Sequence, residues 1–420
     1  AQDLLGGTYG RTVNLIAGPG NNGADGRVGC AHLARRGARV RTFEVADCPP
    51  VLPPSDLVVD AAFGTGFRGE WSSPDPAGAQ VLAVDIPSGV DGVTGVAGPG
   101  VRRAERTVTF QALKPGLLLG DGAALAGEIE VAEIGLDTSR TRAHLVTADD
   151  IAAWLPRRDR DDHKWRHAVR VVAGSPGMSG AAALCTACAG RAGSGLVHLV
   201  TLGDLRGVRD EIVSVETVPA ELDAEAMERL DRFGAVVAGP GLGRSDQTVG
   251  VVQCLASQEI PLLVVCDGLM ALEPDVAGGD TRGVAGATMS RVAPIVLTPH
   301  DGEFARLAGA RPGVDRFASV RDLAADSGCV VLLKGPTTIV ADPDGRVLVV
   351  ELGDQRLATA GSGDVLSGII GALLAAGVPG LRAAAAGAWI HAAAGDARLG
   401  EGLLAGDLVE ALPGVLAELS

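Results

Sequence analysis

Short, mostly apolar runs recur along the first third of the chain, and glycine or aspartate closely follows most of them. These runs occupy residues 12–16, 57–59, 81–84 and 128–131. Runs of this length are typical of strands that are buried in a parallel sheet. A helical pattern around residues 28–36 follows the first run. The alternation of strand and helix predicts an α/β domain.

A second series of apolar runs begins further along the chain. It occupies residues 169–172, 196–200, 235–237, 262–265, 295–297 and 330–333. Between the two series lies a polar stretch, residues 137–167, whose mixed charge run 157–162 predicts a solvated connector. We place the boundary near Val146, so the predicted domains are residues 1–145 and 146–420, each with three α/β/α layers.

Composition supports this fold class and argues against several partners. A chain of 420 residues exceeds the usual size of one core, and 47% hydrophobic residues with 60 glycines fit two compact domains rich in tight loops. The formal net charge of −15 argues against nucleic acid or an anionic membrane as a partner. Phosphate groups would then be bound by backbone amides and a few cations.

Cysteine usage and the longest apolar segment bear on location. Seven scattered cysteines, an odd number, fit reduced thiols in a cytoplasm. The apolar stretch 365–381 is interrupted by turn-forming residues at 377–380, so we predict a core helix and not a membrane span. No signal peptide is recognised. We therefore expect a cytoplasmic protein.

The segment Ala360-Gly361-Ser362-Gly363-Asp364 predicts a glycine-rich turn at a helix N-terminus. The backbone N–H groups and the helix dipole make such a turn suitable for phosphate. A carboxylate is a poor phosphate ligand because like charges repel. We interpret Asp364 as a base that takes a proton from a hydroxyl attacking the bound phosphate. The alternative is an ordinary helix cap with an N-terminal aspartate.

Polar clusters in the first domain lie at the ends of predicted strands. They are residues 18–26, Asp60 with the loop 64–70, and residues 85–89. Asn22, Asp60 and Ser88 would supply hard oxygen ligands with one formal negative charge, which suits a monovalent cation better than Mg²⁺. Each cluster alone could be a simple turn, but three at successive strand ends favour a site.

The second domain carries a comparable series of turns. They are residues 174–181, residues 239–243, residues 297–304 around His300, and residues 334–338. The two glycine turns would let a ligand approach backbone amides. His300 is a candidate ligand contact, although a lone histidine is usually structural. Lys334 and the hydroxyls that follow it suit a phosphate or ribose, and the alternative is a surface lysine before a turn.

With these motifs in place, the first domain resembles the NAD(P)H-hydrate epimerases. The motifs GPGNNGADG, DAAFGTG and VLAVDIPSGVDGVTG carry the resemblance, which covers most of residues 12–136. It implies a Rossmann-like domain, a potassium ion held by Asn22, Asp60 and Ser88, and acid/base work by Asp85 at C6 of the damaged ring. The residues implied to surround the hydrated nucleotide are Asn21, Asn22, Gly23, Ala24, Asp25, Gly64, Thr65, Gly66, Phe67, Arg68, Gly69, Glu70 and Asp85.

The second domain resembles the ADP-dependent NAD(P)H-hydrate dehydratases of the ribokinase-like superfamily. The patterns GSxxMxGAA, GPGLG, LTPHxGEFARL, LKGxxT and AGSGDVLSG occur in this order within residues 168–411. The resemblance implies Mg²⁺, ADP as phosphoryl donor, and deprotonation of the C6 hydroxyl by Asp364 before phosphate is eliminated. The residues implied to contact the hydrate are Ala181, Gly243, His300 and Asp364, and those implied to contact the adenine nucleotide are Lys334, Gly335, Pro336, Thr337, Thr338 and Gly363.

The chain departs from both family patterns in places. The epimerases' leading helical segment has no counterpart before Ala1, the stretch 43–56 is short and proline-rich, and the segment 71–80 is compressed. Residues 165–167 and 266–269 are variants of the dehydratase pattern. We predict a fused repair enzyme for NADHX and NADPHX that forms a homo-oligomer. The alternative is a ribokinase-superfamily small-molecule kinase whose N-terminal module binds nucleotides or mediates oligomerisation without catalysis.

Overall fold

The structure, a computed structural model, describes residues 1–273, 291–396 and 400–419. The chain forms two compact units, Ala1–Thr141 and Arg142–Ser420, and each contains its own largely parallel sheet. The predicted α/β class is therefore confirmed. The division falls earlier than the predicted boundary near residue 146, because Ala143–Leu145 forms an edge strand of the second sheet.

The first unit contains a six-stranded parallel sheet in the order β2-β1-β3-β4-β5-β6. The strand order reverses between β1 and β3, and loops at such a switch point commonly bind ligands. The strands are β1 (Thr12–Ala17), β2 (Arg39–Glu44), β3 (Leu57–Ala61), β4 (Gln80–Val84), β5 (Arg106–Phe110) and β6 (Glu128–Ala132). The α-helices are α1 (Gln2–Leu5), α2 (Asn21–Arg35) and α3 (Gly120–Leu125), with 3₁₀ turns at Val45–Asp47 and Pro115–Leu117.

Successive side chains of the central strand enter different cores of the first unit. Leu15 packs with Cys30 and Leu33 of α2, whereas Ile16 packs with Leu52 and with Trp71 from the irregular segments. This alternation is the expected consequence of the two-residue period of a strand. The sheet is therefore buried on both faces, and the ends of its strands remain available for ligands.

The second unit contains a ten-stranded sheet in the order β10-β9-β8-β11-β12-β13-β14-β15-β16-β7. Among the strands of the described residues in this sheet, only the pairs β14–β15 and β15–β16 are antiparallel. The order reverses between β8 and β11, which creates a second switch point. The strands are β7 (Ala143–Leu145), β8 (Ala168–Val172), β9 (Leu196–Thr201), β10 (Val213–Glu216), β11 (Ala235–Ala238), β12 (Leu262–Val264), β13 (Ile295–Leu297), β14 (Val330–Leu333), β15 (Thr338–Ala341) and β16 (Val347–Val350).

Helices cover this second sheet. The α-helices, numbered through the described residues, are α4 (Ala148–Trp154), α5 (Ser179–Arg191), α6 (Leu222–Met227), α7 (Asp246–Ala256), α8 (Asp301–Ala308), α9 (Arg316–Ser327), α10 (Ser362–Ala375), α11 (Gly380–Asp396) and α12 (Ala405–Glu418). The 3₁₀ segments are Pro219–Glu221, Leu230–Arg232, Cys266–Leu272 and Gln355–Leu357. Helix α10 is buried along most of its length, as predicted for a core helix. Among the described residues, none of the helices is both long and apolar enough to cross a bilayer.

Every strand predicted from an apolar run is present, but several strands were missed. Strand β2 alternates between exposed and half-buried residues, so it lacks the continuous apolar signal of its neighbours. The stretch 137–167 is also more ordered than the predicted connector, because it contains β7 and α4, which begins with a Thr147 capping box. The charge run 157–162 itself has no regular secondary structure and is almost entirely exposed.

Candidate functional site

The loops that follow β1, β3, β4 and β5 line one cavity of about 910 Å³ in the first unit. Predicted residues in its wall are Asn21, Asn22, Asp25, Gly64, Thr65, Gly66, Phe67, Arg68 and Asp85. Gly23, Ala24, Gly69 and Glu70 do not line it. Gly23 has a packing role instead, since a Cβ there would lie 2.0 Å from the carbonyl oxygen of Gly18.

Asp85 follows β4 and has an unusual backbone conformation. Its φ of 69° lies in the left-handed region, which is unfavourable for a residue with a Cβ and tends to persist where the surroundings impose it. The Asp85 N–H donates to the carbonyl of Val108 at 2.7 Å. The side chain lies in the cavity wall, with Oδ1 2.8 Å from Lys114 Nζ. An aspartate held in this way can serve as an acid or base toward a ligand in the cavity.

The three predicted cation ligands have different surroundings. Ser88 donates from Oγ to Asp60 Oδ1 at 2.6 Å and from its backbone N–H to Oδ2 at 2.9 Å. Burial raises the pKa of Asp60 above its usual value. Both polar atoms of the Asn22 amide are buried and have no hydrogen-bond partner among the residues described. A cation would satisfy the Asn22 oxygen, so this residue fits the predicted site best.

Aromatic and apolar groups form the remaining wall of the first cavity. The rings of Phe63 and Phe67 stack with centroids 4.0 Å apart. Gln111, directly after β5, binds the segment that follows β6. Its Oε1 accepts from the backbone N–H groups of Ile134 and Leu136 at 2.9 and 3.0 Å. Phe67 was predicted from the sequence, whereas Phe63, Gln111, Ile134, Leu136 and Lys114 were missed. Strand β5 gave no strong apolar signal, so the loop that follows it was not recognised as a strand end.

In the second unit, Asp364 lies in the first turn of α10. Gly361 caps this helix with a φ of 88°, a left-handed conformation that favours glycine. Burial raises the pKa of Asp364 to about 6, and the charge of Lys334 opposes this shift. The only hydrogen bond that the described residues give its carboxylate comes from Cys266 Sγ, 3.9 Å from Oδ1. Asp364 is thus a half-buried carboxylate without a salt bridge to a described cation.

Lys334, His300 and Glu303 form a connected group at the ends of β13 and β14. Lys334 Nζ lies 3.3 Å from Glu303 Oε2. The same oxygen accepts the His300 N–H at 2.8 Å, while His300 Nδ1 caps α8 by accepting from Gly302 and Glu303. The His300 side chain is more than half exposed. The histidine therefore has both the structural role considered as the alternative and a face available to a ligand.

The glycine turns at the second switch point approach one another closely. The Ser175 hydroxyl donates to Gly241 O at 2.9 Å, and a Cβ on Gly241 would lie 2.9 Å from Ala181 Cβ. Gly243 donates its N–H to Asp267 at 3.1 Å. The predicted hydrate contacts Ala181 and Gly243 are thus positioned by one turn cluster.

The nucleotide candidates lie around Lys334. Lys334 follows β14, Thr338 begins β15, and Gly335, Pro336 and Thr337 join the two strands. A Cβ on Gly363 would lie 3.9 Å from Lys334 Nζ, so this lysine is close to the turn of Asp364. A cavity of about 140 Å³ is lined by Cys266, His300 and Glu303. Cys266 contacts Asp364, and Glu303 contacts Lys334.

The buried side chain of His391 contacts the turn that carries Asp364. Its Nε2 lies 3.0 Å from the Ser362 hydroxyl. Burial lowers the pKa of His391 to about 4, so the ring is neutral at neutral pH. A neutral ring can accept or donate one hydrogen bond without placing a charge next to the turn that carries Asp364. This residue was not predicted, because a histidine within an alanine-rich helix gives no sequence signal for such a contact.

Comparisons with known proteins identify the family of this chain. The family model described as NAD(P)H-hydrate dehydratase matches residues 169–413. A bifunctional NAD(P)H-hydrate repair enzyme from Moorella thermoacetica is 37% identical over 97% of this chain and 88% of its own length. The chain belongs to the family of bifunctional NAD(P)H-hydrate repair enzymes. The model described as YjeF-related protein N-terminus matches residues 42–116 and covers the loops of Gly64 and Asp85.

Further relatives support this assignment. The repair enzyme of the same name from Mycobacterium tuberculosis is 39% identical over 90% of this chain and 82% of its own length. A solved ADP/ATP-dependent NAD(P)H-hydrate dehydratase from Bacillus subtilis, co-crystallised with ATP and Mg²⁺, is 27% identical with a TM-score of 0.56, over 65% of this chain and 98% of that one. A ribokinase-like superfamily protein from Enterococcus faecalis, 21% identical with a TM-score of 0.57 over 68% of this chain and 99% of its own, supports the fold alone.

Proposed function

We propose that this protein repairs hydrated NADH and NADPH. The first unit interconverts the (6R) and (6S) epimers of the hydrate. The second unit dehydrates the (6S) epimer to NAD(P)H, with ADP as phosphoryl donor and AMP and phosphate as products. The observation that carries the proposal is the half-buried carboxylate of Asp364 in the first turn of α10. This carboxylate has no ion-pair partner among the described residues, and its pKa is raised to about 6.

The dehydration follows from the chemistry of Asp364. Its carboxylate takes the proton of the C6 hydroxyl, and the phosphoryl group passes from ADP to that oxygen. Hydroxide is a poor leaving group and phosphate a good one, so the ring nitrogen lone pair can then expel phosphate, and loss of a proton from C5 completes the C5–C6 double bond of NAD(P)H. A pKa of about 6 makes Asp364 more basic than an ordinary aspartate yet mostly ionised at neutral pH. Glu303 binds Lys334, which keeps that cation from forming a direct ion pair with the base.

The proposed metals differ between the two units. A potassium ion would be held by Asn22, Asp60 and Ser88, and the unsatisfied Asn22 amide supports this donor set. When bound, the ion would supply positive charge beside an anionic part of the nucleotide. Magnesium stays a prediction for the second unit, because no group of three or more His, Cys, Asp or Glu side chains among the described residues could hold the ion. A homo-oligomer and a cytoplasmic location stay predictions.

A chromatographic assay of NADHX with the full-length chain tests the function. With ADP or ATP present, both epimers should be consumed and NADH should appear. Without nucleotide, one resolved epimer should become a mixture of both. If the first unit is non-catalytic, the (6R) epimer will persist above its spontaneous rate of conversion. If the protein is a small-molecule kinase, the hydrate will remain while a sugar or pyrimidine alcohol is phosphorylated.

A further inference from the structure

Lys114 lies in the wall of the first cavity, and none of the motifs recognised in the sequence includes it. Its Nζ lies 2.8 Å from each of three acceptors, which are Asp85 Oδ1, Thr109 Oγ1 and the carbonyl oxygen of Phe110. A lysine ammonium carries three N–H donors. All three are therefore used within the protein, and the ammonium has no donor left for a ligand in the cavity.

The pair formed by Lys114 and Asp85 is largely shielded from water. The side chain of Lys114 is 21% exposed and that of Asp85 is 14% exposed. Charge-assisted hydrogen bonds in such surroundings are shorter and stronger than neutral ones, and they fix the orientation of both groups. The contact with Lys114 thus restrains the carboxylate of Asp85 more firmly than an exposed ion pair would.

The two oxygens of Asp85 have different neighbours. Oδ1 is bound by Lys114 and receives a longer contact from the Thr109 hydroxyl at 3.3 Å. Oδ2 faces the glycine loop and accepts from the Thr65 N–H at 3.5 Å. A Cβ added to Gly64 would lie 3.1 Å from this oxygen. Lys114 therefore occupies one oxygen and leaves the other toward the loop that lines the cavity.

The backbone of Asp85 is held by a neighbouring strand. With a φ of 69°, the residue lies in the left-handed region, which few non-glycine residues occupy and which aspartate tolerates better than most. The bond from Asp85 N–H to Val108 O fixes the main chain, and Lys114, at the end of the same β5 loop, fixes the side chain. One strand end therefore determines both the position and the direction of the carboxylate.

We propose that Lys114 is a positioning residue for epimerisation, which holds Asp85 so that Oδ2 faces the C6 hydroxyl of the hydrate. The inference rests on the proposed function of the first unit. It makes Lys114 act through Asp85 and not through substrate binding. Loss of Lys114 should therefore lower kcat while leaving KM nearly unchanged, and it should have no additional effect once Asp85 has lost its acid/base function.

The test is the conversion of one resolved NADHX epimer by the full-length chain, with ADP and ATP omitted. The variants are Lys114→Met, Lys114→Gln, Lys114→Arg, Asp85→Asn and the double variant Asp85→Asn/Lys114→Met. We expect Lys114→Met and Lys114→Gln to lower kcat about 100-fold with KM changed less than about threefold, since misplacing a reacting group costs that much. Lys114→Arg, which keeps the charge, should recover most of the loss. The double variant should be no slower than Asp85→Asn.

Arg106→Met is the matched control. Arg106 is a similarly buried cation of the same unit, 16% exposed, whose ion pairs with Glu128 and Asp3 lie outside the cavity lining. This variant should epimerise at the wild-type rate. Thermal unfolding of every variant separates lost activity from lost structure. Should Lys114→Met fail to fold, the milder Lys114→Gln decides the question.

The outcomes separate this inference from the function on which it rests. A wild-type chain that does not epimerise the hydrate would remove the proposed function itself. An active wild-type chain whose Lys114→Met and Lys114→Gln variants keep kcat would overturn the role of Lys114 alone. A large rise in KM, or additive losses in the double variant, would also overturn it, because each would mean that Lys114 acts independently of Asp85.

Discussion

At the scale of single residues, the second site depends on how charges are distributed around one carboxylate. Asp364 is half-buried, and the nearby Lys334 forms its ion pair with Glu303 and not with Asp364. Cys266 donates a weak hydrogen bond to Asp364 and thereby slightly offsets the rise of its pKa. The carboxylate of Asp364 therefore keeps free hydrogen-bond acceptor capacity and can accept a proton.

The first residue-scale prediction concerns Asp364→Asn. Dehydration should fall by several orders of magnitude, because the base is lost, while nucleotide binding persists, because the turn remains. The variant should also be more stable at pH 7, by up to about 3 kcal/mol, since a carboxyl with a raised pKa is ionised there at a cost to folding. Turnover and thermal unfolding measure the two effects. Near-normal turnover would contradict the role of Asp364.

The pH dependence of dehydration follows from the same group. Asp364 must be ionised to act as a base, and its pKa is raised to about 6, so kcat/KM should decline about tenfold per unit as pH falls below 6. Cys266→Ala removes a hydrogen bond to the ionised form and should shift this decline to higher pH. Cys254→Ala, in α7 and outside both cavity linings, is the control. A rate that stays constant down to pH 4 would exclude Asp364 as the base.

Potassium should affect only the first unit. Replacing K⁺ by choline should slow epimerisation and leave dehydration unchanged, because Asn22, Asp60 and Ser88 all belong to the first unit. Asn22→Leu should abolish the response to K⁺, since the unsatisfied amide is removed. Ion-dependent initial rates measure both effects. If the epimerisation rates of wild type and Asn22→Leu depend equally on K⁺, Asn22 is not part of the potassium site.

At the scale of elements, two helices position the glycine-rich turn that carries Asp364. Helices α5 and α10 begin near the candidate site and pack together along their lengths. Gly368 is at their closest approach, where a Cβ would lie 2.2 Å from Cys185 O. A small residue is therefore needed to seat α10, and with it Asp364, against the rest of the unit.

Gly368→Ala should consequently destabilise the second unit by about 1–3 kcal/mol or more, because the overpacked helices must separate. Gly190→Ala is the matched control in α5, since nothing lies within 4 Å of a Cβ at that position. It should stabilise the helix by about 0.5–1 kcal/mol. Chemical denaturation compares the two variants with wild type. Equal effects of both substitutions would argue against the close approach at Gly368.

At the scale of the whole molecule, both units place their candidate sites at a point where the strand order of the sheet reverses. Each sheet reverses its strand order once, and each switch point is flanked by glycine turns that line the candidate site. The second unit also includes an edge strand, β7, contributed by the segment that the sequence treats as a connector. Its neighbour Val146 donates an N–H to Val349 of β16.

The position of the domain boundary has a direct test. A fragment of residues 142–420 should fold and dehydrate the hydrate, because it keeps β7 on the sheet. A fragment of residues 146–420 should melt at a lower temperature and aggregate more readily, since β16 would have an unpaired edge. Differential scanning calorimetry and light scattering compare the two. Identical melting would place the boundary at residue 146 after all.

The sequence by itself determined the strands with continuous apolar signals, the buried helix α10, and the turns that carry Asn22, Asp85 and Asp364. These features are local, because apolar period and glycine placement act over a few neighbouring residues. The tertiary structure alone decided the pairing of Lys114 with Asp85 and of β7 with β16. Both bring together residues far apart in the chain, and half-polar segments such as β5 and β7 acquire their conformation from the neighbours against which they pack.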